Sequence, residues 1–216
     1  NTIYGNTVPS LNGYIYTGSG YLTGAAGADS SASILTGTLN GTTNYVQGND
    51  VGSYNLNYGS GTLTSNLGYV IVYANNATGI SVGQRTLVTT LTGLVSKTYD
   101  GTDTATLTSG NYILNNVYGS DAVIISNISG YYSNKNAGNG KDVTVTGLTL
   151  SGVKASNYIL SNTSVTAAVG TILQKALNLI GLTINDKVYD ATTGATLTGT
   201  VSLSGIVGSD VVSLDG

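Results

Sequence analysis

A phrase of twelve residues occurs twice in this chain, ninety residues apart, and it constrains the fold more than any other feature. "KTYDGTDTATLT" begins at Lys97, and "KVYDATTGATLT" begins at Lys187. A "GSD" tripeptide at Gly119 returns at Gly208. A period of about 90 residues is too long for a β-solenoid coil or a small helical repeat, and it matches the size of one β-sandwich domain. The sequence therefore predicts a row of separate modules.

The repeat also predicts where the modules begin and end, because "GQR" and "LQK" close two similar segments. The first module covers residues 1–85 and lacks its opening strand, the second covers 86–175, and the third covers 176–216 and stops before it would close a core. The sequence has no initial Met and no signal peptide, so we interpret it as an internal piece of a longer protein. No Pro-, Ser- or charge-rich linker separates the modules, which predicts stiff joints.

The pattern of apolar residues predicts an all-β chain. "KDVTVTGLTLSGV" from Lys141 alternates apolar and polar residues, as half-buried strands do. Two long strand segments, beginning at Leu87 and Leu177, each contain a glycine that predicts a bulge or bend, at Gly93 and Gly181. No segment combines helical periodicity with caps. We therefore expect tandem antiparallel β-sandwich modules of the immunoglobulin-like type, each of about 90 residues.

The side-chain chemistry removes most catalytic and binding classes. The chain has no Cys or His, its ten acidic residues are all Asp, and only 8% of its residues are charged. Zinc and copper sites thus lack their preferred ligands, and a general base would have to be Asp or Lys. Seven cations and a net charge of −3 cannot form a phosphate-binding stripe. We expect no enzyme activity, no cofactor and no nucleic-acid partner.

The repeated phrase is interpreted as a structural motif of each module. In an extended strand Lys97 and Tyr99 would lie on one face, with Asp100 on the other, so the three would converge poorly as a catalytic or binding site. Asp followed by Gly or Ala and then Thr favours a turn in which the carboxylate accepts a hydrogen bond from the backbone N–H two residues on. The motif residues are Lys97, Tyr99 and Asp100 in one copy and Lys187, Tyr189 and Asp190 in the next.

Several motifs occur in the order found in a known family. "SKTYDGT", a "GSD" turn, "NAGNGKDVTVTGLTLSG" and "ASNYIL" resemble the YDG module of large bacterial surface and secreted proteins. The opening "YGNTVPSL" and the later "VGSYNLNY" resemble the companion MBG module of the same proteins. The third copy departs from the pattern, because Ala191 stands where the motif has glycine, and its turn must accommodate a Cβ.

The resemblance implies a function as well as a fold. Modules of this kind form tandem β-sandwich arrays in haemagglutinin-like adhesins, many of which are exported by two-partner or related outer-membrane secretion. The chain is therefore expected to be extracellular or on a bacterial cell surface, as a stalk or matrix fibre for adhesion or biofilm. Its expected partners are neighbouring modules, an outer-membrane secretion partner, and further copies that join through exposed edge strands.

Three additional sites are alternatives that the sequence leaves open. Asp186 and Asp190, near a module joint, are candidate ligands of a structural Ca²⁺ ion. Exposed tyrosines could bind a host or matrix glycan or a protein, with Tyr131 and Tyr132 and the "GYIYTGSGY" segment from Gly13 as candidates. Lysines within strands, such as Lys97, could form isopeptide bonds with asparagine.

Overall fold

A computed structural model describes residues 1–11, 35–65, 70–73, 75–126 and 128–215. The helical segments within these ranges are two 3₁₀ turns, Ser109–Asn111 and Ala155–Asn157, and the regular structure is otherwise β-strand. The prediction of an all-β chain is confirmed. Where the chain is described, none of its helices has the length and apolar character that crossing a membrane requires.

The chain folds into two compact units whose ranges interleave along the sequence. Unit 1 consists of Asn1–Val88, Asn115–Ile124 and Leu150–Ser161. Unit 2 consists of Thr89–Leu114, Ile125–Thr149 and Asn162–Gly216. The second sequence module thus contributes residues to both units. The module limits at residues 85 and 175 stay a prediction.

The described residues among the first 83 form two longer strands and several short ones. These strands are β1 (Thr2–Ile3), β2 (Leu35–Thr36), β3 (Leu39–Thr42), β4 (Gly52–Gly61), β5 (Thr64–Ser65) and β6 (Asn76–Gly83). One sheet has the order β1-β6-β4-β3, with β1 parallel to β6 and the other pairs antiparallel. A separate pair joins β2 and β5. The buried apolar side chains here include Tyr4, Tyr45, Ile80 and Val82.

The next segment contains the strands of the complete repeat. They are β7 (Arg85–Leu91), β8 (Val95–Thr98), β9 (Thr104–Thr106), β10 (Tyr112–Asn115), β11 (Ile124–Ile125), β12 (Ser129–Tyr132), β13 (Gly138–Thr146), β14 (Leu150–Ser151), β15 (Tyr158–Leu160) and β16 (Ser164–Leu173). Within unit 2, five of them form a sheet in the order β8-β16-β13-β12-β9. Strand β8 is parallel to β16, and the remaining neighbours are antiparallel. Smaller sheets have the orders β10-β7-β15 and β11-β14.

The core of unit 2 lies against one face of the five-stranded sheet. Val143 and Val145 of β13 are fully buried, as the alternating pattern predicts, and Leu148 follows them into the interior. They share the core with Leu107 and Ile172. Alternate residues of a strand point to opposite faces, so the polar residues between the valines remain nearer to solvent.

Glycines interrupt the long strand segments where the sequence predicts. Strand β7 ends at Leu91, β8 begins at Val95, and Gly93 between them has a φ of 70°. In the third repeat, Gly181 has a φ of 88° and lies between β17 (Asn178–Ile180) and β18 (Thr183–Ile184). Such left-handed backbone costs glycine little, because glycine has no Cβ. Both predicted breaks are confirmed.

The third repeat continues with β19 (Leu197–Thr198) and β20 (Ser202–Ser204). Strand β17 pairs with β20, and β18 pairs with β19, both antiparallel. Its apolar side chains are much more exposed than those of the preceding copy. Leu107 in the first copy of the phrase is 1% exposed, and Leu197 at the same place in the second copy is 57% exposed.

Candidate functional site: the tyrosine–aspartate junctions

The lysine and aspartate of the repeated phrase form a closed turn, which we call the clasp. Lys97 Nζ lies 2.8 Å from Asp100 Oδ1 and also donates to the carbonyl and hydroxyl oxygens of Thr102, each at 2.8 Å. The Thr102 N–H and hydroxyl donate to the same Oδ1 at 2.9 and 2.8 Å. The expectation that Lys97 and Asp100 lie on opposite strand faces is wrong, because β8 ends at Thr98 and Asp100 belongs to the turn.

The third repeat contains a second clasp with nearly the same dimensions. Lys187 Nζ lies 2.8 Å from Asp190 Oδ1 and donates to the Thr192 carbonyl and hydroxyl oxygens at 2.9 and 2.8 Å. The Thr192 N–H and hydroxyl donate back to Asp190 at 3.0 and 2.8 Å. The surroundings of the two copies differ, but the hydrogen-bond distances of the two clasps nearly agree. The six residues from the lysine to the threonine therefore determine the shape of the clasp by themselves.

Electrostatics reinforces the clasp. The Lys97 ammonium and then the Thr102 N–H and hydroxyl stabilise the ionised Asp100, so the pKa of this carboxyl is lowered to about 2. The pKa of Asp190 is also lowered, first by Lys187 and then by Thr192. Both carboxylates are therefore ionised and committed to hydrogen bonds near neutral pH, and they are poorly placed to accept a proton in catalysis.

Tyr99 does not take part in the clasp but reaches a distant residue of unit 2. Its hydroxyl donates to Asp210 Oδ2 at 2.7 Å, and Asp210 is the aspartate of the second "GSD" tripeptide. Gly101, two residues after the tyrosine, has a φ of 81° and lies against Val207, three residues before the aspartate. We call Tyr99, Gly101, Val207 and Asp210 the second junction.

A related arrangement occurs in unit 1, with the glycine one residue after the tyrosine instead of two, and we call its residues Tyr4, Gly5, Tyr118 and Asp121 the first junction. The Tyr4 hydroxyl donates to Asp121 Oδ2 at 2.8 Å, and Asp121 is the aspartate of the first "GSD" tripeptide. Gly5 has a φ of 79° and lies against Tyr118, which again precedes the aspartate by three residues. The recurrence of "GSD" is visible in the sequence, but its connection to a tyrosine of the preceding module is visible only in the fold.

The first junction contains a second tyrosine. Tyr158 also donates to Asp121 Oδ2, at 2.5 Å, and the Tyr4 ring packs edge-on against the rings of Tyr118 and Tyr158. Burial and the hydrogen bond to Asp121 raise the pKa of Tyr158 to about 12, and the pKa of Tyr4 is raised by the same two causes. Both phenols therefore stay protonated and act as donors over the ordinary pH range.

Further polar contacts in unit 1 connect the first two sequence modules. Asp50 Oδ1 accepts hydrogen bonds from Lys154 at 2.6 Å and from Asn157 Nδ2 at 2.7 Å. Asn157, which is buried, also accepts the Val51 N–H on its Oδ1 at 2.8 Å. The pKa of Asp50 is lowered by its hydrogen bonds to Lys154 and Asn157. The "ASNYIL" motif thus supplies Asn157 and Tyr158, both of which hold residues of the first module.

Arg85 strengthens the same region. Its Nε donates to the Asn116 carbonyl at 2.8 Å, and one terminal nitrogen donates to the Tyr4 carbonyl at 3.2 Å. Its other terminal nitrogen donates to the Asn116 side chain at 2.8 Å. The planar guanidinium therefore connects the turn after β1, where Tyr4 lies, with the loop that leads to Asp121.

The two tyrosines predicted as a ligand surface differ in exposure. Tyr131 is 56% exposed, whereas Tyr132 is 3% exposed and its hydroxyl donates to the Val95 carbonyl at 3.1 Å. Neighbouring strand residues point to opposite faces, so Tyr132 belongs to the core and has to be removed from the proposed surface. The "GYIYTGSGY" segment from Gly13 lies outside the described residues.

One of the two aspartates predicted as calcium ligands, Asp190, is already paired with a lysine ammonium. Asp190 Oδ1 already lies 2.8 Å from the Lys187 ammonium, and Asp186 is exposed four residues earlier. Among the residues that the structure describes, no three acidic side chains are grouped as metal ligands. These residues fit a calcium ion poorly, because Ca²⁺ requires six to eight oxygen ligands.

An open groove of about 490 Å³ lies beside the second junction in unit 2. Its walls are Tyr99, Asn136, Ala137, Gln174, Lys175, Leu177, Gly205, Ile206, Val207, Asp210 and Val212. Its carboxylate, Asp210, already accepts the Tyr99 hydroxyl. The groove is therefore part of the junction.

The family model for the YDG domain matches residues 83–167 and 173–216. The chain belongs to the YDG domain family. No curated protein and no solved structure matches it. Each matched YDG segment contains one clasp with its tyrosine and one "GSD" turn, so a YDG segment carries both halves of a junction.

Proposed function

We propose that this chain is a non-catalytic structural segment of a secreted or cell-surface bacterial adhesin or filament. In this role it extends a stalk or matrix fibre for adhesion or biofilm. The observation that carries the proposal is the recurrence of one junction: Tyr4 with Asp121, and Tyr99 with Asp210. A segment that functions by joining tandem modules is expected to repeat the contact that joins them.

The contacts support a mechanical role. Both junctions join residues more than 100 positions apart in the chain, and both use a hydrogen bond from a tyrosine hydroxyl to an aspartate carboxylate. Such charge-assisted hydrogen bonds are about twice as strong as neutral ones. Several clustered contacts of this type resist separation of consecutive repeats without any linker.

The proposal includes a finer description of the fold and its modules. Each module of about 90 residues is a β-sandwich of the immunoglobulin-like type. Residues 1–85 are an MBG-like module, residues 86–175 are a YDG-like module, and residues 176–216 begin a second YDG-like module. The all-β structure and the recurrence of the clasp support this division.

The cellular setting follows from the same proposal. A cysteine-free chain can cross an oxidising compartment without being trapped by disulfides, which suits export and folding outside the cell. The proposed location is extracellular or on the bacterial surface, with an outer-membrane secretion partner. Edge strands rich in Thr and Asn, with few lysines, supply a route for copies to join sideways into fibres.

Force spectroscopy on the full chain, held at its two ends, tests the mechanical role. We expect separate unfolding events at well-defined forces, and the substitution Asp121→Asn should lower the force for unit 1. The substitution Asp142→Asn is the matched control, because Asp142 lies outside both junctions. Gradual extension without distinct events would contradict a structural role under tension.

One observation favours a second candidate function, the binding of a glycan or a protein. Tyr131 presents an exposed ring on β12, and exposed aromatic rings stack on sugars. A glycan array probed with the chain tests this candidate. Specific binding that Tyr131→Ala abolishes and Tyr131→Phe retains would support it, and absence of binding would favour the purely structural role.

A further inference from the structure

The third repeat displays the tyrosine half of a junction in an open form. Tyr189 occupies the position of Tyr99 in the repeated phrase, and its side chain is 89% exposed. Tyr4, in the first junction, is 1% exposed. Val188 beside Tyr189 is also strongly exposed.

The backbone around Tyr189 already has the conformation found at a formed junction. The clasp of Lys187, Asp190 and Thr192 is closed, with nearly the same distances as in the second repeat. Ala191 has a φ of 60°, although alanine enters the left-handed region at a cost of about 1–2 kcal/mol. Gly101 in the second junction has a φ of 81°. The tyrosine is therefore presented by a turn that needs no rearrangement to bind.

We propose that Tyr189 and the turn at Ala191 bind the Gly-Ser-Asp turn of a further YDG repeat placed directly behind this one. Tyr189 donates its hydroxyl proton to the aspartate of that turn, as Tyr99 does to Asp210. This inference rests on the proposed function, because it identifies the contact through which each following repeat would join the preceding one.

The state of the existing aspartates identifies the partner. Asp121 accepts Tyr4 and Tyr158, and Asp210 accepts Tyr99. In a second copy of this chain, the flanks of both Gly-Ser-Asp turns are already covered, because Gly5 lies against Tyr118 and Gly101 lies against Val207. A repeat linked behind this one brings an aspartate whose tyrosine partner is Tyr189 itself.

The Cβ of Ala191 restricts which Gly-Ser-Asp turns can bind beside Tyr189. Gly101 is the position equivalent to Ala191, two residues after the tyrosine, and a Cβ there would lie 3.0 Å from Val207 Cγ1. Ala191 carries such a Cβ, so a valine three positions before the partner aspartate has to move slightly, and a smaller residue there fits without movement.

An extended chain tests the proposal. A copy of residues 128–216 is joined after residue 216, and it supplies a new Gly-Ser-Asp turn. The copy of Tyr189 is changed to Phe, so that the original Tyr189 is identified without ambiguity. Nitration of tyrosine by tetranitromethane, followed by peptide mass spectrometry, measures access to the phenol.

We expect Tyr189 to react roughly tenfold more slowly in the extended chain, because a hydrogen bond to a carboxylate protects it. Changing the new aspartate, the copy of Asp210, to Asn should restore fast nitration. Tyr73 lies outside the copied segment and should react equally in all of these proteins. An Ala191→Gly version of the extended chain is a second variant for the same measurement, since glycine relieves the turn and assists folding.

Unchanged nitration of Tyr189 in a folded extended chain would overturn the proposal. Protection that already appears in the unextended chain as its concentration rises would also overturn it, because the partner would then be a second copy. Neither result affects the distinct unfolding events expected under force, so failure of this inference and failure of the structural role are separable.

Discussion

The hydroxyl of Tyr99 lies 2.7 Å from Oδ2 of Asp210, although 111 residues separate the two in the chain. The residues belong to consecutive YDG segments, and Tyr4, which precedes those segments, donates in the same way to Asp121 of the first one. The connection between copies is therefore encoded in two short motifs that each copy carries. The hydrogen bond to Asp210 raises the pKa of Tyr99, so Tyr99 stays a protonated donor.

The first junction should respond to removal of a single phenol. Tyr4→Phe deletes one hydrogen bond to Asp121 and leaves the packing of the buried ring intact. We expect the free energy of unfolding to fall by roughly 1–3 kcal/mol, as for other hydrogen bonds to charged groups. Urea denaturation followed by circular dichroism measures the change. Tyr131→Phe is the control, and an equal effect at that exposed position would contradict the assignment.

Alkaline pH should weaken the first junction within a defined window. The pKa of Tyr158 is raised from 10.0 to about 12 in the folded state, so its contribution to stability is complete below about pH 10. That contribution is lost as the pH rises through about 12. Near-ultraviolet absorbance of tyrosinate should show a late-ionising component, which disappears in Tyr158→Phe. Ionisation of all tyrosines near their ordinary pKa would contradict the prediction.

Acid should open the clasp of the second repeat. The pKa of Asp100 is lowered from 3.8 to about 2, so the stability that the clasp contributes is complete above about pH 4 and is lost toward pH 2. NMR titration of the Asp100 carboxyl carbon would show the low midpoint directly. In Lys97→Met the midpoint should rise, because the first of its stabilising partners is gone. A midpoint that stays low in this variant would assign the shift to Thr102 alone.

The alanine in the third turn should be a strained residue. Ala191 has a φ of 60°, so Ala191→Gly should stabilise the clasp by about 1 kcal/mol. Slower hydrogen exchange of the Thr192 amide, which donates to Asp190, would report this gain. The reciprocal change Gly101→Ala adds the same strain and places a Cβ 3.0 Å from Val207, so it should destabilise the second junction. Equal exchange rates in Ala191→Gly and the parent would contradict the strain.

Thr89 offers a simple stabilising substitution. Its side chain is buried in β7, and its hydroxyl has no hydrogen-bond partner among the described residues. Thr89→Val keeps the β-branched shape and removes the unsatisfied group, so it should raise the free energy of unfolding by about 1 kcal/mol. The midpoint of thermal unfolding measures the gain, with the exposed Thr90→Val as the matched control. A decrease in stability would show that the hydroxyl has a partner.

Much of the local structure could be predicted because it depends on neighbouring residues. Alternating side chains indicate β13, and Gly93 and Gly181 mark the strand breaks. The turn in which the aspartate accepts the N–H two residues on is present in both copies, at Thr102 and Thr192. The contact of Lys97 with Asp100 could not be predicted, because a continuous strand through Asp100 would place the two side chains on opposite faces. In the structure, β8 ends at Thr98, two residues before Asp100.

Composition, periodicity and contacts within a few residues were enough to specify the all-β character, the ninety-residue repeat, the YDG resemblance and the aspartate turn. The burial of Tyr132, the exposure of Tyr131 and the reach of Tyr4 and Tyr99 to aspartates of the following copy emerge only in the folded chain. Those outcomes depend on where the chain returns after more than 100 residues. No local preference specifies that path, because it is set by the packing of whole sheets and their connecting loops.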